Sequence, residues 1–386
     1  MAICSLCLTA DLVPDLETQV HFSVTIFRDY VEDNRISMEV YADGLSQSLR
    51  AQLPERCQVR EYRPHVPAWL GQGNWRMRLS RFCVYPWQAR RQQRQVNHII
   101  DHGYGHLLYA IDPERTVVTV HDLIPLVRWR GGIPGLAPGR KPSLNLISFN
   151  ALRRAKHLIA VSENTRCDLI RFCRCTPEKI TVVYQGVDSI FRPYSPSEKA
   201  RARRALDLPE DGACQVLIMG SQIYKNQLGA LRAFAHLRTI YPGSLQLLKT
   251  GMPNSEWSRA VEQLGLAENV RCLGVVPRAQ LPDLYNAADC LLSPSWYEGF
   301  GWPPLEAMAC GTPVVSSNAG SLPEVIGNAG LMCDPKDEPG IAEAMYGVLT
   351  NTQLRQDLIE RGLKRASQFT WEKAARKTLD VYVEFV

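Results

Sequence analysis

The chain has 386 residues, 45% hydrophobic and 22% charged, which is enough apolar material for two cores and excludes extended disorder. No run reaches the roughly 18 apolar residues of a membrane span, and the start lacks a basic region ahead of an apolar stretch that stops at Asp11, so neither a spanning helix nor an export signal is expected. Twelve cysteines without scaffold spacing point to a reducing cytoplasm; Cys4 with Cys7 and Cys173 with Cys175 lack a second ligand pair at zinc-like spacing, so no metal is expected.

In chain order, residues 1–20 fit no periodic pattern and are read as an extension. Strands are expected over Phe22–Phe27, Cys57–Glu61, Asn97–Asp101, Thr116–Val120, His157–Val161 and Ile180–Tyr184, with Ser162 capping a helix. These make a Rossmann-like domain over 21–192. Within it, Tyr62 to Ile100 holds seven arginines and no acidic residue, although the whole chain carries only +5. Between residues 69 and 94 those arginines are interleaved with Trp69, Trp75 and Trp87, a mixture suited either to a helix resting on anionic lipid or to a solvated helix face over ordinary core aromatics. No RNA- or DNA-binding module is recognisable, so nucleic acid is not expected as a partner.

The turn-rich run from Phe191 to Ser197 reads as a linker. Beyond it, strands Val216–Met219, Leu245–Lys249, Val270–Leu273, Cys290–Ser293, Val314–Ser316 and Gly330–Cys333 alternate with helices Leu228–Tyr241, Glu256–Leu264 and Arg278–Ala287, before two closing helices. The pattern predicts a second doubly wound α/β domain over 193–370, with a C-terminal segment 371–386 beginning at Trp371.

The strand Cys290–Ser293 leads into a glycine-rich loop and then a helix opened by Pro303 and Pro304 and closed by Gly311. Such a loop at a strand's carboxyl end is where parallel sheets bind ligands, and first-turn amides suit phosphate oxygens. Glu298 and Glu306 bracket the loop and can accept hydrogen bonds from sugar or ribose hydroxyls, while Gly299 and Gly301 allow backbone to approach a ligand. His121 follows the strand Thr116–Val120 and therefore faces the same kind of cleft. Lys225 with Asn226 after Gly220, and Lys249 at a strand end, are positioned to supply the cations a diphosphate leaving group needs.

A glutamate, seven residues and a second glutamate, followed by Gly311-Thr-Pro-Val-Val315, resemble the retaining glycosyltransferases of family 4, which have the GT-B fold of two Rossmann-like domains facing a cleft. Ala160–Thr165, Glu178–Asp188 and Leu281–Asp289 resemble other landmarks of that family. The resemblance implies a nucleotide diphosphate sugar as substrate, no cofactor, and a glycan or lipid-linked acceptor in polysaccharide or glycolipid synthesis. It also implies front-face transfer with retention and without a metal, the final helix crossing back to the first domain. Mannose and glucose are the expected sugars. Catalytic roles fall on His121, Glu298 and Lys225. The donor is expected at Gly220, Lys225, Asn226 and Lys249, at Val275 beside the base, and at Glu298, Gly299, Phe300, Gly301, Pro304, Leu305 and Glu306, with Glu306 on the ribose. Ser221 or Gln222 stands where the family carries a basic residue. A phosphorylase or epimerase on the same fold, or a non-catalytic nucleotide-sugar-binding subunit, is the alternative. The enzyme is expected in the cytoplasm, peripheral on the inner membrane face.

Overall fold

The computed structural model describes residues 22–52, 57–67, 73–208 and 212–385. The extension 1–20 and Trp69 lie outside them. The chain forms two six-stranded parallel sheets. The first contains β1 (Phe22–Phe27), β2 (Cys57–Tyr62), β3 (Val96–Ile99), β4 (Thr116–Val120), β5 (His157–Ala160) and β6 (Ile180–Val182), in the order β2-β1-β3-β4-β5-β6. The second contains β7 (Cys214–Ile218), β8 (Leu245–Thr250), β9 (Val270–Gly274), β10 (Cys290–Ser293), β11 (Val314–Ser317) and β12 (Leu331–Cys333), ordered β12-β11-β10-β7-β8-β9. The two doubly wound α/β domains expected from the strand pattern are therefore present.

Both faces of each sheet are covered, which is why β4 reads as an unbroken buried run. Its side chains alternate: Val118 and Val120 enter one core with Leu158 and Phe149, whereas Val117 enters the other with Ile159, Leu45 and Tyr382. Strand order reverses direction between β1 and β3 in the first sheet and between β7 and β10 in the second. At such switch points the loops leaving neighbouring strands diverge and open a crevice at their carboxyl ends.

Three further helices bear on that crevice and on the join between the domains: α1 (Ile36–Gln52), α2 (Trp302–Ala309) and α3 (Trp371–Val383). α3 packs on α1, and the Tyr382 hydroxyl lies 2.6 Å from Nδ1 of His98, beneath the first sheet. After β12 the two closing helices, Glu338–Thr350 and Thr352–Ala366, precede α3. Asn351 divides them: the first stops before it, and its side chain then accepts from Leu354 N at 3.0 Å and caps the second.

The basic, tryptophan-bearing stretch is a helical run, Asn74–Leu79, Ser80–Val84 and Tyr85–Arg90, whose middle segment is a π-turn closed by Tyr85 N–H to Ser80 O. In an unbroken α-helix Trp75 and Trp87 would sit about 120° apart; the extra residue of the π-turn reduces this to about 20°. Trp75, Leu79 and Trp87 thus share an exposed stripe, with Trp75 55% and Trp87 58% accessible. Arg78 and Arg90 of the same run and Arg91 at its end are exposed, and Arg91 stacks 3.8 Å from the Trp87 ring centre. Arg81 does not belong to that surface: it turns inward to Asp33 at 3.2 Å and to Gly103 O at 2.8 Å.

Candidate active site

The loops leaving β4, β7, β8, β9 and β10 and the start of α2 enclose a cleft of about 580 Å³ between the domains. Gly301 precedes α2 with φ of 106°, a left-handed value that favours glycine, so the chain can turn sharply from the loop into the helix. The loop is pinned from behind by Ser321, whose hydroxyl donates to Phe300 O at 2.7 Å, and by Ser317, which donates to Ser295 O at 2.5 Å.

Gly299 lines the cleft and also meets the opposite domain. A Cβ there would collide with the carbonyl oxygen of His121, so the missing side chain lets the two domains touch. Ser162, in the first domain, donates to Gly299 O at 2.6 Å. Nearby, Glu324 of the second domain accepts from Glu163 N at 2.8 Å and Asn164 N at 3.0 Å, placing a carboxylate on the positive N-terminus of a first-domain helix.

Glu298 is buried, and its Oε1 accepts from Lys225 Nζ at 2.7 Å and Ser295 Oγ at 2.8 Å. Lys225 ends a short 3-10 turn after β7 and the loop leaving β10 carries the glutamate, so the pair spans the β7/β10 switch point. Glu306, on α2, is held by the Tyr285 hydroxyl at 2.7 Å on Oε2 and by Arg278 Nη1 at 3.3 Å on Oε1. Burial raises the Glu306 pKa, and Arg278 and Tyr285 oppose that rise.

His121 enters from the first domain. Its Nε2 donates to Ile100 O at 2.8 Å, and its Nδ1 accepts from the Gln185 amide at 2.8 Å. With both ring nitrogens engaged and burial lowering the pKa to about 4, the imidazole is neutral at physiological pH. It is therefore a fixed polar wall rather than a proton carrier. Asp122 beside it also lines the cleft and accepts from Ile124 N at 2.9 Å.

His121, Gly220, Lys225, Val275, Glu298, Gly299, Phe300, Gly301 and Glu306 all line the cleft. Four other expected residues do not line it. Asn226 turns away and donates to Pro335 O at 2.9 Å. Pro304 and Leu305 are buried under the loop, Leu305 in the second domain's core. Lys249 is fully buried: its ammonium lies 5.2 Å over the Trp257 ring and donates to Thr250 O at 3.1 Å and Gly251 O at 3.2 Å. Strand alternation explains this, because Thr250 takes the cleft-facing position and sends Lys249 to the other face. The first turn of α2 is also poorer in donors than expected, since Pro303 and Pro304 have no N–H and the Leu305 amide is bonded to Gly301 O.

Arg278, Gln185 and Tyr285 were not anticipated. Arg278 follows Pro277 just beyond the end of β9, the same position argument that singled out Lys249, and it does face the cleft. Among the described residues, no group of three or more His, Cys, Asp or Glu side chains is arranged to hold a metal ion, and no helix is long and apolar enough to cross a membrane.

Residues 27–190 match the family described as Glycosyltransferase Family 4, and residues 199–365 match Glycosyl transferases group 1. The O-antigen chain mannosyltransferase B of Escherichia coli is 35% identical over 303 residues, which are 77% of this chain and 76% of that one. Sucrose-phosphate synthase from Thermosynechococcus elongatus superposes with a TM-score of 0.73 at 20% identity, covering 94% of this chain and 98% of the other. HepE of Anabaena, solved with UDP and glucose, gives a TM-score of 0.73 at 18% identity over 94% of this chain and all of its own. The paired glutamates, the two-domain GT-B fold and these matches together make this chain a member of the group 1, family 4 glycosyltransferases.

Proposed function

We propose that the enzyme transfers a hexose, mannose first and glucose second, from a nucleoside diphosphate donor to a glycan or lipid-linked acceptor in cell-surface polysaccharide or glycolipid synthesis. One observation carries the reading: Glu298 paired with Lys225, Glu306 at the start of α2, and His121 from the opposite domain converge on a single cleft. In this reading Glu306 accepts from the ribose hydroxyls and Val275 stands beside the base. Glu298 accepts from sugar hydroxyls, and Lys225, shared between Glu298 and the phosphates, meets the charge of the leaving group. Mannose is placed first because the E. coli relative is named a mannosyltransferase.

The transfer breaks the bond between the anomeric carbon and the β-phosphate oxygen while the acceptor hydroxyl forms its bond on the same face, with retention. Neutral His121 has no ring nitrogen available to take the proton, so the departing β-phosphate oxygen takes it and the nucleoside diphosphate leaves. Lys225 supplies the charge that a metal supplies in other transferases, and the rate is expected to be unchanged by EDTA.

A thermal-shift screen over UDP-, GDP- and ADP-sugars tests the donor. A ligand present at a hundred times its dissociation constant adds about 2.7 kcal/mol of stability, an easily read shift. A protein that shifts with no nucleotide sugar would overturn the reading, and binding without nucleotide release on any glycan or membrane extract would overturn the proposed transfer.

The aromatic and basic stripe supports a lipid-linked acceptor at an anionic membrane surface. Trp75 and Trp87 have the amphipathic rings that settle at a bilayer interface, and the surrounding arginines favour acidic headgroups. Arg81, through Asp33, fastens this helix to the loop after β1, close to Ile36, which lines the cleft and is 57% exposed. The intact protein is expected to sediment with vesicles containing phosphatidylglycerol and much less with pure phosphatidylcholine. Trp75→Ala with Trp87→Ala should reduce binding at least severalfold while leaving donor affinity unchanged, and equal sedimentation of the variant would remove the membrane reading.

A further inference from the structure

Arg278 stands between two cavities. One is the donor cleft; the other, of about 790 Å³, lies behind it among α1, the interdomain linker and the start of α3. Its guanidinium is divided between them. Nη1 reaches Glu306 Oε1 at 3.3 Å, and Nη2 reaches Asp188 Oδ2 at 2.6 Å. Asp188 lies at the end of the first domain, three residues before the linker, and of the two cavities lines only the rear one. Its other oxygen, Oδ1, accepts from the indole Nε1 of Trp371 at 2.6 Å. Trp371 is the first residue of α3, and its ring packs so closely on Gly44 of α1 that no side chain could fit there. A continuous polar path therefore runs from the carboxylate in the donor cleft to the helix that crosses between the domains.

We propose that Arg278 is a positioning residue that couples occupancy of the Glu306 site to the interdomain crossing, through Asp188 and Trp371. The inference rests on the proposed role of Glu306 in donor binding. The contact to Glu306 is the longer of the two, and Oε1 has the cleft beside it. Hydroxyls donating to Glu306 compete for the charge that holds Nη1, so the guanidinium settles further onto Asp188 and alters the hold of Asp188 on Trp371. Linkage requires the reverse as well: a change at Asp188 alters the carboxylate that the donor meets. Phe191, whose ring centre is 5.2 Å from the guanidinium carbon, gives Arg278 a flat surface along which to shift.

A double-mutant cycle on nucleoside diphosphate affinity tests this, using whichever of UDP, GDP and ADP binds the wild type most tightly. Asp188→Asn, which touches no part of the donor cleft, is expected to change the dissociation constant by about threefold to tenfold, and by less than about twofold in a Glu306→Gln background. Arg278→Lys keeps the charge but cannot span both carboxylates, and should behave as Asp188→Asn does. If Asp188→Asn unfolds the protein, Trp371→Phe removes the same link from the other side.

A merely structural Asp188 would lower the melting temperature and leave the dissociation constant alone; that result overturns the coupling, as does an equal effect in both backgrounds. If Glu306→Gln leaves affinity unchanged, the donor-site reading fails and the coupling fails with it. A large Glu306→Gln effect that simply adds to that of Asp188→Asn removes the coupling alone.

Discussion

Glu306→Ala is expected to weaken nucleoside diphosphate binding about 100-fold, measured by calorimetry against the unaltered enzyme. Two hydroxyl bonds to a buried carboxylate are together worth about 3 kcal/mol. The alanine variant should also lose about 1–3 kcal/mol of stability, because the buried Tyr285 hydroxyl loses its acceptor. Glu306→Gln separates the two effects. The amide oxygen keeps a partner for Tyr285, and the cost of burying a charge disappears, so this variant should melt no lower than wild type while binding donor about tenfold more weakly. Unchanged affinity in both variants would show that α2 does not hold the ribose.

Mild acid should unfold the first domain before the second. His98, His106 and His121 are buried in it, and desolvation lowers their pKa values to about 3, about 4 and about 4. All three are hydrogen-bonded, His98 between Tyr382 and Thr119, and His106 between Ser148 and Arg81 O. Above pH 6.5 the histidines are neutral in both folded and unfolded chains, so the stability is fully present. As the pH falls from 6.5 towards 4, the unfolded chain takes up protons that the folded chain refuses, at a cost of about 1.4 kcal/mol per pH unit for each histidine. By pH 5 that is about 2 kcal/mol each. Asp29 acts in the opposite sense, because burial beside Asp101 raises its pKa and lets it hold a proton when folded, which offsets part of the loss. Thermal melts followed at pH 7.5, 6 and 5 should show a first transition that moves down while a second stays nearly in place; coincident transitions at pH 5 would contradict this.

Most of the fold was legible because a strand covered on both faces is a short, mostly apolar run with no charged residue, as Thr116–Val120 and Cys290–Ser293 are, and because Pro303, Pro304 and Gly311 mark the ends of α2. The cleft-lining loop after β10 was legible because Glu298, Gly299, Phe300 and Gly301 are consecutive residues. What failed depended on the third dimension. A one-residue alternation decides that Thr250 faces the cleft and Lys249 faces Trp257, and the sequence does not say on which face that tryptophan lies. Arg278 and Asp188 are separated by ninety positions, and only folding brings them together. The π-turn leaves no signature in the residues of Ser80–Val84, yet it is what aligns Trp75 with Trp87.

The contact between Gly299 and the His121 carbonyl has a mechanical meaning. Two lobes that meet inside the cleft they form differ from jaws hinged at a distance. Any rocking of the domains about this contact would sweep the outer rims of the cleft through large arcs while barely moving His121 relative to the loop after β10. The rim could then open and shut while the spacing of His121 and Glu298 stayed nearly constant.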